Sequence, residues 1–339
     1  MLSMLTQRNK KATPFRVAFF LVMSLTLSAC FQNDVEYALI TNQLADNVSV
    51  IDTASGELVK HIPVGKSPAG IAVSPGSKQA FVSNPNSQNI SVLDLAQLEE
   101  THQIAVGPGP VGIVADGAGE RLYVADWFEN NVSVIDPVSG DILHTISVGQ
   151  SPAGMVLDES RQRLYVANRD DNAVAFIDLD SHQVVRSVDV GKAPFGLALT
   201  PDGKRLYSVN VQGSDVTVID TETAKVVTTI PVGEWPYCAM VSPDGNKLYV
   251  TNQDNSTVSV IDVASNQVTN TIDVEDTPEG IDTTADGSLI YVANWGSGTV
   301  SVIDARTEKP LSTIKTAKGS RAFGEFIIKI EYARYCHRC

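Results

Sequence analysis

Seven aspartates stand at a constant spacing of 42 residues, and carboxylates are side chains used for acid catalysis and for metal binding. They are Asp52, Asp94, Asp136, Asp178, Asp220, Asp262 and Asp304. A catalytic or metal site needs one constellation of groups, whereas these are seven equivalent copies. Each closes an apolar run and precedes turn-forming residues, where an aspartate accepts hydrogen bonds from the backbone as an Asx-turn. We therefore expect these aspartates to be structural.

Other residues depart from the repeat in two series of loops, and they include large aromatic side chains and charged ones. All three tryptophans of the chain are in these loops. The candidate binding residues are Trp127, Phe195, Trp235, Tyr237, Glu279, Trp295, Arg321 and Phe323. Large rings accompanied by a few charges are typical of a binding surface. The alternative interpretation is that the rings only pack between repeats.

Asp282 is the one ionisable residue at a position that is otherwise occupied by Ala72, Val114, Val156, Ala198 and Met240. It is a weak candidate metal ligand, and the alternative is a partly solvated acid without a role. The histidines fall on outer strands, in one turn or in the tail, so no histidine zinc site or histidine base is expected. No cofactor is predicted, and a divalent metal remains open.

The elements that carry these residues repeat with the same period. Each unit of 42 residues contains four short runs rich in Val, Ile and Tyr, and turn-forming residues separate the runs. A period of about 40 to 45 residues with four strands per unit is typical of a β-propeller blade. We label the strands A to D and predict an all-β, seven-bladed propeller with four-stranded blades.

The chain ends predict how the ring closes. The first unit, residues 37–64, has strands B, C and D without strand A, and residues 322–328 form an A-like run near the C-terminus. That run is expected to complete the first blade, which removes the open edge of the ring. Gly324 aligns with Gly70 only if two residues are inserted after Ile314. In such a ring the D–A and B–C loops share one face, so the candidate binding residues gather there.

The repeated motifs YVAN, YVTN, SVID, VGxxPxG and SPDG resemble those of the YVTN-repeat β-propellers, which include YncE-like proteins. The resemblance covers residues 36–328. It implies the propeller fold without fixing a function, because the family includes surface-layer proteins, periplasmic proteins of unassigned role and propellers encoded near quinoprotein dehydrogenases.

The first residues have the pattern of an export signal. Arg8, Lys10, Lys11 and Arg16 precede an apolar run at 17–27, which ends in Leu27-Ser28-Ala29-Cys30. This end resembles the lipobox of bacterial lipoproteins. The resemblance implies a signal peptide at 1–29, a lipidated Cys30, a linker at 30–35 and, because Phe31 follows, an outer-membrane lipoprotein facing the periplasm or cell surface. An ordinary secretory signal is the alternative.

The tail, residues 329–339, follows no repeat. Cys336 and Cys339 in it have a Cys-x-x-Cys spacing, which suits a disulfide or a redox pair in an oxidising compartment.

The charge of the chain limits its partners. The net charge is -14, and removing residues 1–29 takes away four positive charges and leaves -18, so nucleic acid is not an expected partner.

We expect a monomeric, non-enzymatic scaffold that binds a protein or a small extracellular ligand. One alternative resembles the gluconolactonase propellers, with a metal held by Glu279, Asp282 and either Asp126 or Asn168. The other is an accessory of a periplasmic quinoprotein or cytochrome system.

Overall fold

The computed structural model describes residues 34–331, which form seven sheets of four antiparallel strands. Each sheet is one blade with its strands in the order A, B, C, D. The A strands of neighbouring blades contact one another, so they surround the axis. This confirms the predicted seven-bladed propeller. Within these residues no helix has the length and hydropathy needed to span a bilayer.

The bounds of the strands follow the repeat. The A strands are Ile71–Ser74 (β4), Pro110–Ala115 (β8), Pro152–Asp158 (β12), Pro194–Leu199 (β16), Pro236–Val241 (β20), Pro278–Thr283 (β24) and Ile327–Ile330 (β28). The B strands are Val35–Asn42 (β1), Gln79–Asn84 (β5), Leu122–Asp126 (β9), Arg163–Asn168 (β13), Arg205–Asn210 (β17), Lys247–Asn252 (β21) and Leu289–Asn294 (β25).

The C strands are Asn47–Asp52 (β2), Asn89–Asp94 (β6), Asn131–Ile135 (β10), Ala173–Asp178 (β14), Asp215–Asp220 (β18), Thr257–Asp262 (β22) and Thr299–Asp304 (β26). The D strands are Glu57–Pro63 (β3), Glu99–Ala105 (β7), Ile142–Ser147 (β11), Gln183–Asp189 (β15), Lys225–Pro231 (β19), Gln267–Asp273 (β23) and Lys309–Lys315 (β27). Two 3-10 turns, Pro85–Ser87 and Glu159–Arg161, each precede a strand.

Burial explains the composition of the strands. The B and C strands lie between neighbouring blades and are buried on both faces, which requires their continuous apolar runs. The D strands form the outer edge and are mostly exposed, with one apolar anchor each, such as Ile62 and Ile230. The tyrosines that recur in strand B, among them Tyr165, Tyr207 and Tyr249, are among the largest fully buried side chains. The core is therefore a series of similar layers between blades.

The C-terminal strand closes the ring as predicted. Strand β28 pairs antiparallel with β1, with Tyr37 opposite Ile328, so blade 1 consists of β28, β1, β2 and β3. Blades 2 to 7 follow in chain order. The strand runs from Ile327 to Ile330 rather than over the predicted residues 322–328.

The predicted place of the two-residue insertion is wrong. Ala322 N donates to Thr41 Oγ1, just as Gly70 N donates to Ser83 Oγ, so the period is unbroken up to Ala322. The backbone N–H of Leu39 then bonds Phe326 O, which places two extra residues between Ala322 and Phe326. Gly324, with φ of 110°, lies in this bulge.

The seven aspartates have the predicted structural role. In every C–D turn the Oδ1 atom accepts hydrogen bonds from the following turn, for example from Ala54 N and Ser55 N at 2.9 Å to Asp52. Such bonds stabilise the ionised form. Hydrogen bonds from Ser181 lower the pKa of Asp178 to about 2, with Arg163 contributing.

Candidate functional site

Seven equivalent positions surround the axis at the end where the D–A loops enter the A strands. Six of them directly follow the proline of a D–A loop. The seventh is Arg321, because its backbone N–H donates to Thr41 O in the same way as the N–H of Ala69 donates to Ser83 O. We call them the axial ring: Ala69, Val111, Ala153, Phe195, Tyr237, Glu279 and Arg321. Blades 2 to 4 contribute small residues, whereas blades 5, 6, 7 and 1 contribute large ones. One half of the ring can therefore fill the axis.

Glycines beside the ring hold the blades close together. A Cβ added to Gly112 would lie 1.9 Å from the carbonyl oxygen of Ala153 in the next blade, and one added to Gly154 would lie 2.3 Å from that of Phe195. These distances exclude any side chain. The axial ring is consequently built on backbones in direct contact, which fixes the positions of its side chains.

Three aromatic rings fill the axis at this end. Phe195 stacks on Tyr237 with ring centroids 4.2 Å apart, and Phe323 meets Phe195 edge-on at 5.4 Å. All three are more than nine-tenths buried, and Ala69 and Ala153 from the opposite half belong to the same apolar cluster. We call Phe195, Tyr237 and Phe323 the aromatic plug. It packs across the axis from blade 5 to blade 1, so these three candidates contact each other.

An ion pair lies beside the plug. Arg321 Nε is 2.8 Å from Glu279 Oε2, and the guanidinium also donates to the Tyr237 hydroxyl. Gln253 Nε2 donates to Glu279 Oε1 at 3.1 Å. Burial raises the pKa of Glu279, and Arg321 opposes that shift. Burial acts against the charge of Arg321, but Glu279 and Tyr237 hold its pKa above the ordinary value, so the guanidinium stays charged.

The three tryptophans have different surroundings from the plug. Trp127 is half-buried, with the guanidinium carbon of Arg169 5.8 Å from its ring centre. Trp295 is also half-buried, and its indole N–H donates to Gln43 Oε1 at 3.0 Å. Trp235 is 44% exposed. These tryptophans, unlike the plug, leave part of their ring surface exposed.

Trp235 has a left-handed backbone conformation, with φ of 50°. The loop imposes this conformation, because Ser67, Ser151, Ala193 and Thr277 at equivalent positions have φ between 52° and 57°. A bulky side chain is unfavourable there. A small residue serves the same turn in other blades, so the local fold gives no reason for a tryptophan.

Leu44 and Gln253 are not predicted as residues of this face, and Phe128 is not among the candidate binding residues. Leu44 is 60% exposed in a B–C loop, and Phe128, which neighbours Trp127, is 69% exposed. Gln253 holds Glu279 in place. The signal for Leu44 was available, because the equivalent positions Asn86, Asp170, Gln212 and Asp254 are polar.

A cavity of about 670 Å³ follows the axis on the other side of the plug. Its lining runs from Phe195 and Phe323 to the A–B turns at Pro75 and Pro201. Four carboxylate residues line it, and no lysine or arginine of the described chain does: Asp158, Glu159, Asp282 and Glu325. The axis is thus an acidic channel that ends at the plug.

Asp282 binds the closing strand. Its Oδ2 accepts hydrogen bonds from Phe326 N and Ile327 N, both at 2.8 Å, and its Oδ1 accepts one from Thr283 N. Burial and then the nearby Glu325 raise the pKa of Asp282 to about 7. The carboxylate is therefore engaged by backbone amides and ties blade 7 to blade 1.

The acidic residues named for the metal-dependent alternative have other partners in the structure. Both oxygens of Asp126 accept bonds from backbone N–H groups of Gly109, Phe128 and Glu129. Glu279 pairs with Arg321. Within residues 34–331 no group of three or more His, Cys, Asp or Glu side chains has the geometry of a metal site.

The predicted cysteine chemistry lies mostly elsewhere. Cys30, Cys336 and Cys339 are outside the described residues. Cys238 is a buried free thiol beside the plug, in a position that blades 2, 3, 4, 5 and 7 fill with glycine. Burial, with Glu279 adding to it, raises the pKa of this thiol well above its usual range, so it is unreactive.

Comparison with known proteins supports the fold and the resemblance that the motifs predicted. Residues 198–287 match the family of YncE-like β-propellers. No curated protein sequence matches the chain.

Three solved structures share the fold at low sequence identity. A functionally unknown protein from Desulfotomaculum acetoxidans DSM 771 has a TM-score of 0.75 at 14% identity, covering 87% of this chain and 99% of that one. Hydrazine synthase from Kuenenia stuttgartiensis has 0.70 at 20%, covering 78% and 96%. The dihydro-heme d1 dehydrogenase NirN, solved in complex with DHE, has 0.64 at 15%, covering 84% and 64%. At these identities the likeness concerns the fold alone.

Proposed function

We propose that this YncE-like β-propeller is a non-enzymatic binding protein of the bacterial envelope that holds a protein partner on its D–A/B–C loop face. The observation that carries the proposal is the exposure of large apolar side chains in loops of that face. Phe128, Leu44 and Trp235 are 69%, 60% and 44% exposed. Loops on a rigid scaffold are where binding residues concentrate.

The shape of the face favours a protein over a small molecule. Small-molecule sites are concave and bury most of the ligand. Here the aromatic plug fills the axis, so the exposed rings lie around a filled centre rather than in a cleft. Tryptophan is enriched among residues that dominate protein–protein binding.

Trp235 adds a second line of support. A tryptophan at φ of 50° costs on the order of 1 kcal/mol or more of backbone strain. Serine occupies the equivalent position in blades 2 and 4 with a similar φ. A residue that costs stability and exposes its ring is consistent with a role outside folding.

The location in the envelope is part of the proposal and depends on the N-terminal segment. Cys30, at the end of the lipobox-like Leu27-Ser28-Ala29-Cys30, would carry the lipid anchor and place the propeller at the outer membrane. Incorporation of labelled palmitate into the full chain, and its loss in Cys30→Ala, tests this part. Equal labelling of the variant would contradict it.

Quantitative capture from a detergent extract of the source organism's envelope tests the binding proposal. The double variant Trp235→Ser/Phe128→Ser removes two exposed rings from the loop face. Its matched control is Val226→Ser/Val227→Ser, which removes two apolar side chains that are 45% and 49% exposed on the outer strand β19. We expect a stoichiometric partner that the wild type and the control retain and the loop variant loses. Retention by the loop variant, or equal loss by the control, would contradict the proposal.

A further inference from the structure

We infer that the loops around Trp235 recognise a basic polypeptide segment, with an arginine side chain stacked on the exposed indole and paired with the carboxylates beside it. This inference rests on the proposed binding function and names its partner's chemistry. We call loops 233–238, 252–257, 275–280 and 294–299 of blades 6 and 7 the Trp235 sector.

Backbone hydrogen bonds hold the sector in shape. In blade 6, Gln253 N donates to Trp235 O at 2.9 Å, and Glu234 N donates to Asn255 Oδ1 at 2.5 Å. In blade 7, Trp295 N donates to Thr277 O at 2.8 Å. The D–A and B–C loops of each blade therefore lie side by side.

The two blades of the sector are also bonded to each other. Thr251 Oγ1 donates to Glu279 O at 2.9 Å, and Gln253 Nε2 donates to the carboxylate of the same residue. A surface fixed in this way loses little entropy when a partner binds.

The charge of the sector has a single sign. Glu234, Asp254, Glu275 and Asp276 are exposed, and the four loops contain no lysine or arginine. The fifth acidic residue, Glu279, is buried and neutralised by Arg321. The free lysines of the face, Lys66, Lys192 and Lys318, belong to other loops. The exposed indole therefore has a carboxylate next to it in both loops of its own blade, because Glu234 precedes Trp235 and Asp254 follows Gln253, whose N–H bonds Trp235 O.

The chain contains its own example of the proposed contact. Between blades 3 and 4, the guanidinium carbon of Arg169 lies 5.8 Å from the ring centre of Trp127, and its Nη1 is 2.7 Å from Asp170 Oδ1. Within residues 34–331 no lysine or arginine lies over Trp235 in the same way. Arginine stacks on indole through the cation–π interaction and pairs with a neighbouring carboxylate at the same time. At Trp235 the partner supplies that arginine.

Charge complementarity decides between the classes of partner. A phosphate backbone or an acidic peptide would meet four exposed carboxylates and would be repelled. An uncharged apolar segment would leave the carboxylates unpaired. A basic segment satisfies the ring and the carboxylates together, and its association is weakened by salt.

Calorimetric titration of the protein with a defined peptide tests the inference. The probe is an acetylated, amidated dodecapeptide of alternating arginine and leucine, and its counterpart carries citrulline, a neutral analogue of arginine, in place of each arginine. The site variant is Glu234→Gln/Asp254→Asn/Asp276→Asn. The control variant, Glu57→Gln/Glu120→Gln/Glu222→Gln, changes three exposed acidic residues on the opposite face and has the same net charge.

We expect the site variant to bind the arginine peptide at least about tenfold more weakly than the wild type, and the control variant less than about twofold more weakly. The citrulline peptide is expected to bind at least about tenfold more weakly to the wild type. Equal weakening by the two variants would show attraction to the acidic body as a whole. Equal binding of the two peptides would show apolar docking alone. Either result overturns the inference.

The same variants separate this inference from the binding proposal. If the captured partner depends on Trp235 and Phe128 but binds the three-carboxylate site variant normally, the binding function stands and the basic partner is wrong. If capture is independent of both sets of substitutions, the binding function itself fails.

Discussion

The turn aspartates and the axial ring share one spacing, yet they have opposite characters. The seven aspartates have one residue type and make the same bonds within their own turns. The seven axial positions range from alanine to arginine, and their large members bond across blades. Where the repeat has the same residue in every blade, each side chain bonds within its own blade. Where the residues differ, side chains of neighbouring blades form one asymmetric cluster.

This contrast has an energetic consequence. Distant sites without shared partners contribute independently to stability, whereas side chains in one network do not. Substitutions in the turns should therefore add, and those in the ring should show strong coupling.

The largest effect is expected for Arg321→Met. The substitution leaves the Glu279 carboxyl buried without its cation and should lower the free energy of unfolding by about 3–5 kcal/mol. Urea unfolding followed by tryptophan fluorescence measures it. The double variant Arg321→Met/Glu279→Leu removes both charges and should recover most of the loss. A double variant as unstable as the single one would show that the pair is not coupled.

The next effect is expected for Phe195→Ala. The side chain is 5% exposed and contacts two other rings, so its removal should lower the free energy of unfolding by about 3 kcal/mol. The conservative variant Phe195→Leu should lose clearly less. Ala153→Gly, on the small half of the ring, serves as the comparison. A loss at Ala153 as large as that at Phe195 would remove the distinction between the two halves.

Asp282 should make stability depend on pH. Its pKa is about 7 in the folded protein against an ordinary value of 3.8. The folded state thus holds the proton more tightly than the unfolded state. The stability from this group is fully present below about pH 3.8 and is lost as the pH rises through about 7. Compared with Asp282→Asn, the wild type should become progressively less stable over this range. A parallel pH profile for the two proteins would contradict the assignment.

The smallest effect is expected in the C–D turns. Asp94→Ala removes bonds to Ala96 N and Gln97 N in an exposed turn, so the melting temperature should fall less than for any substitution above. Asp94→Ala/Asp262→Ala should show the sum of the two single changes, because the blades that carry them are not neighbours. Strong non-additivity, measured by calorimetry, would place the turns in a common network.

The sequence predicts the fold well because a strict period of 42 residues leaves few possible arrangements of the strands. Counting strands gave the closure of the ring by the C-terminal segment, which β28 confirms. The position of the insertion was wrong because Gly324 is the only glycine that can align with Gly70, whereas the hydrogen bond to Thr41 shows that Ala322 occupies that position. An alignment by residue type cannot detect that an alanine takes the place of the glycine in this blade.

The candidate site was harder to predict, since composition does not show in which direction an aromatic side chain of a loop points. Tyr237 and Trp235 are two residues apart in one loop, yet the first is 8% exposed and the second 44%. In this loop Tyr237, after the proline, faces the axis and Trp235, before it, is exposed, whereas Ala193 at the equivalent position of the preceding blade is buried. The two directions become visible only when the axial ring is known. The prediction of binding therefore rests on the outward residues, while the inward ones have packing contacts.

Partner capture and urea unfolding of Trp235→Ser together show whether this tryptophan binds a partner or packs in the fold. We expect capture to be lost while the free energy of unfolding stays within about 1 kcal/mol of the wild type, because serine suits the same turn in other blades. Undiminished capture would contradict the account. Loss of capture accompanied by a destabilisation as large as that of Phe195→Ala would also contradict it, because Trp235 would then be a packing residue.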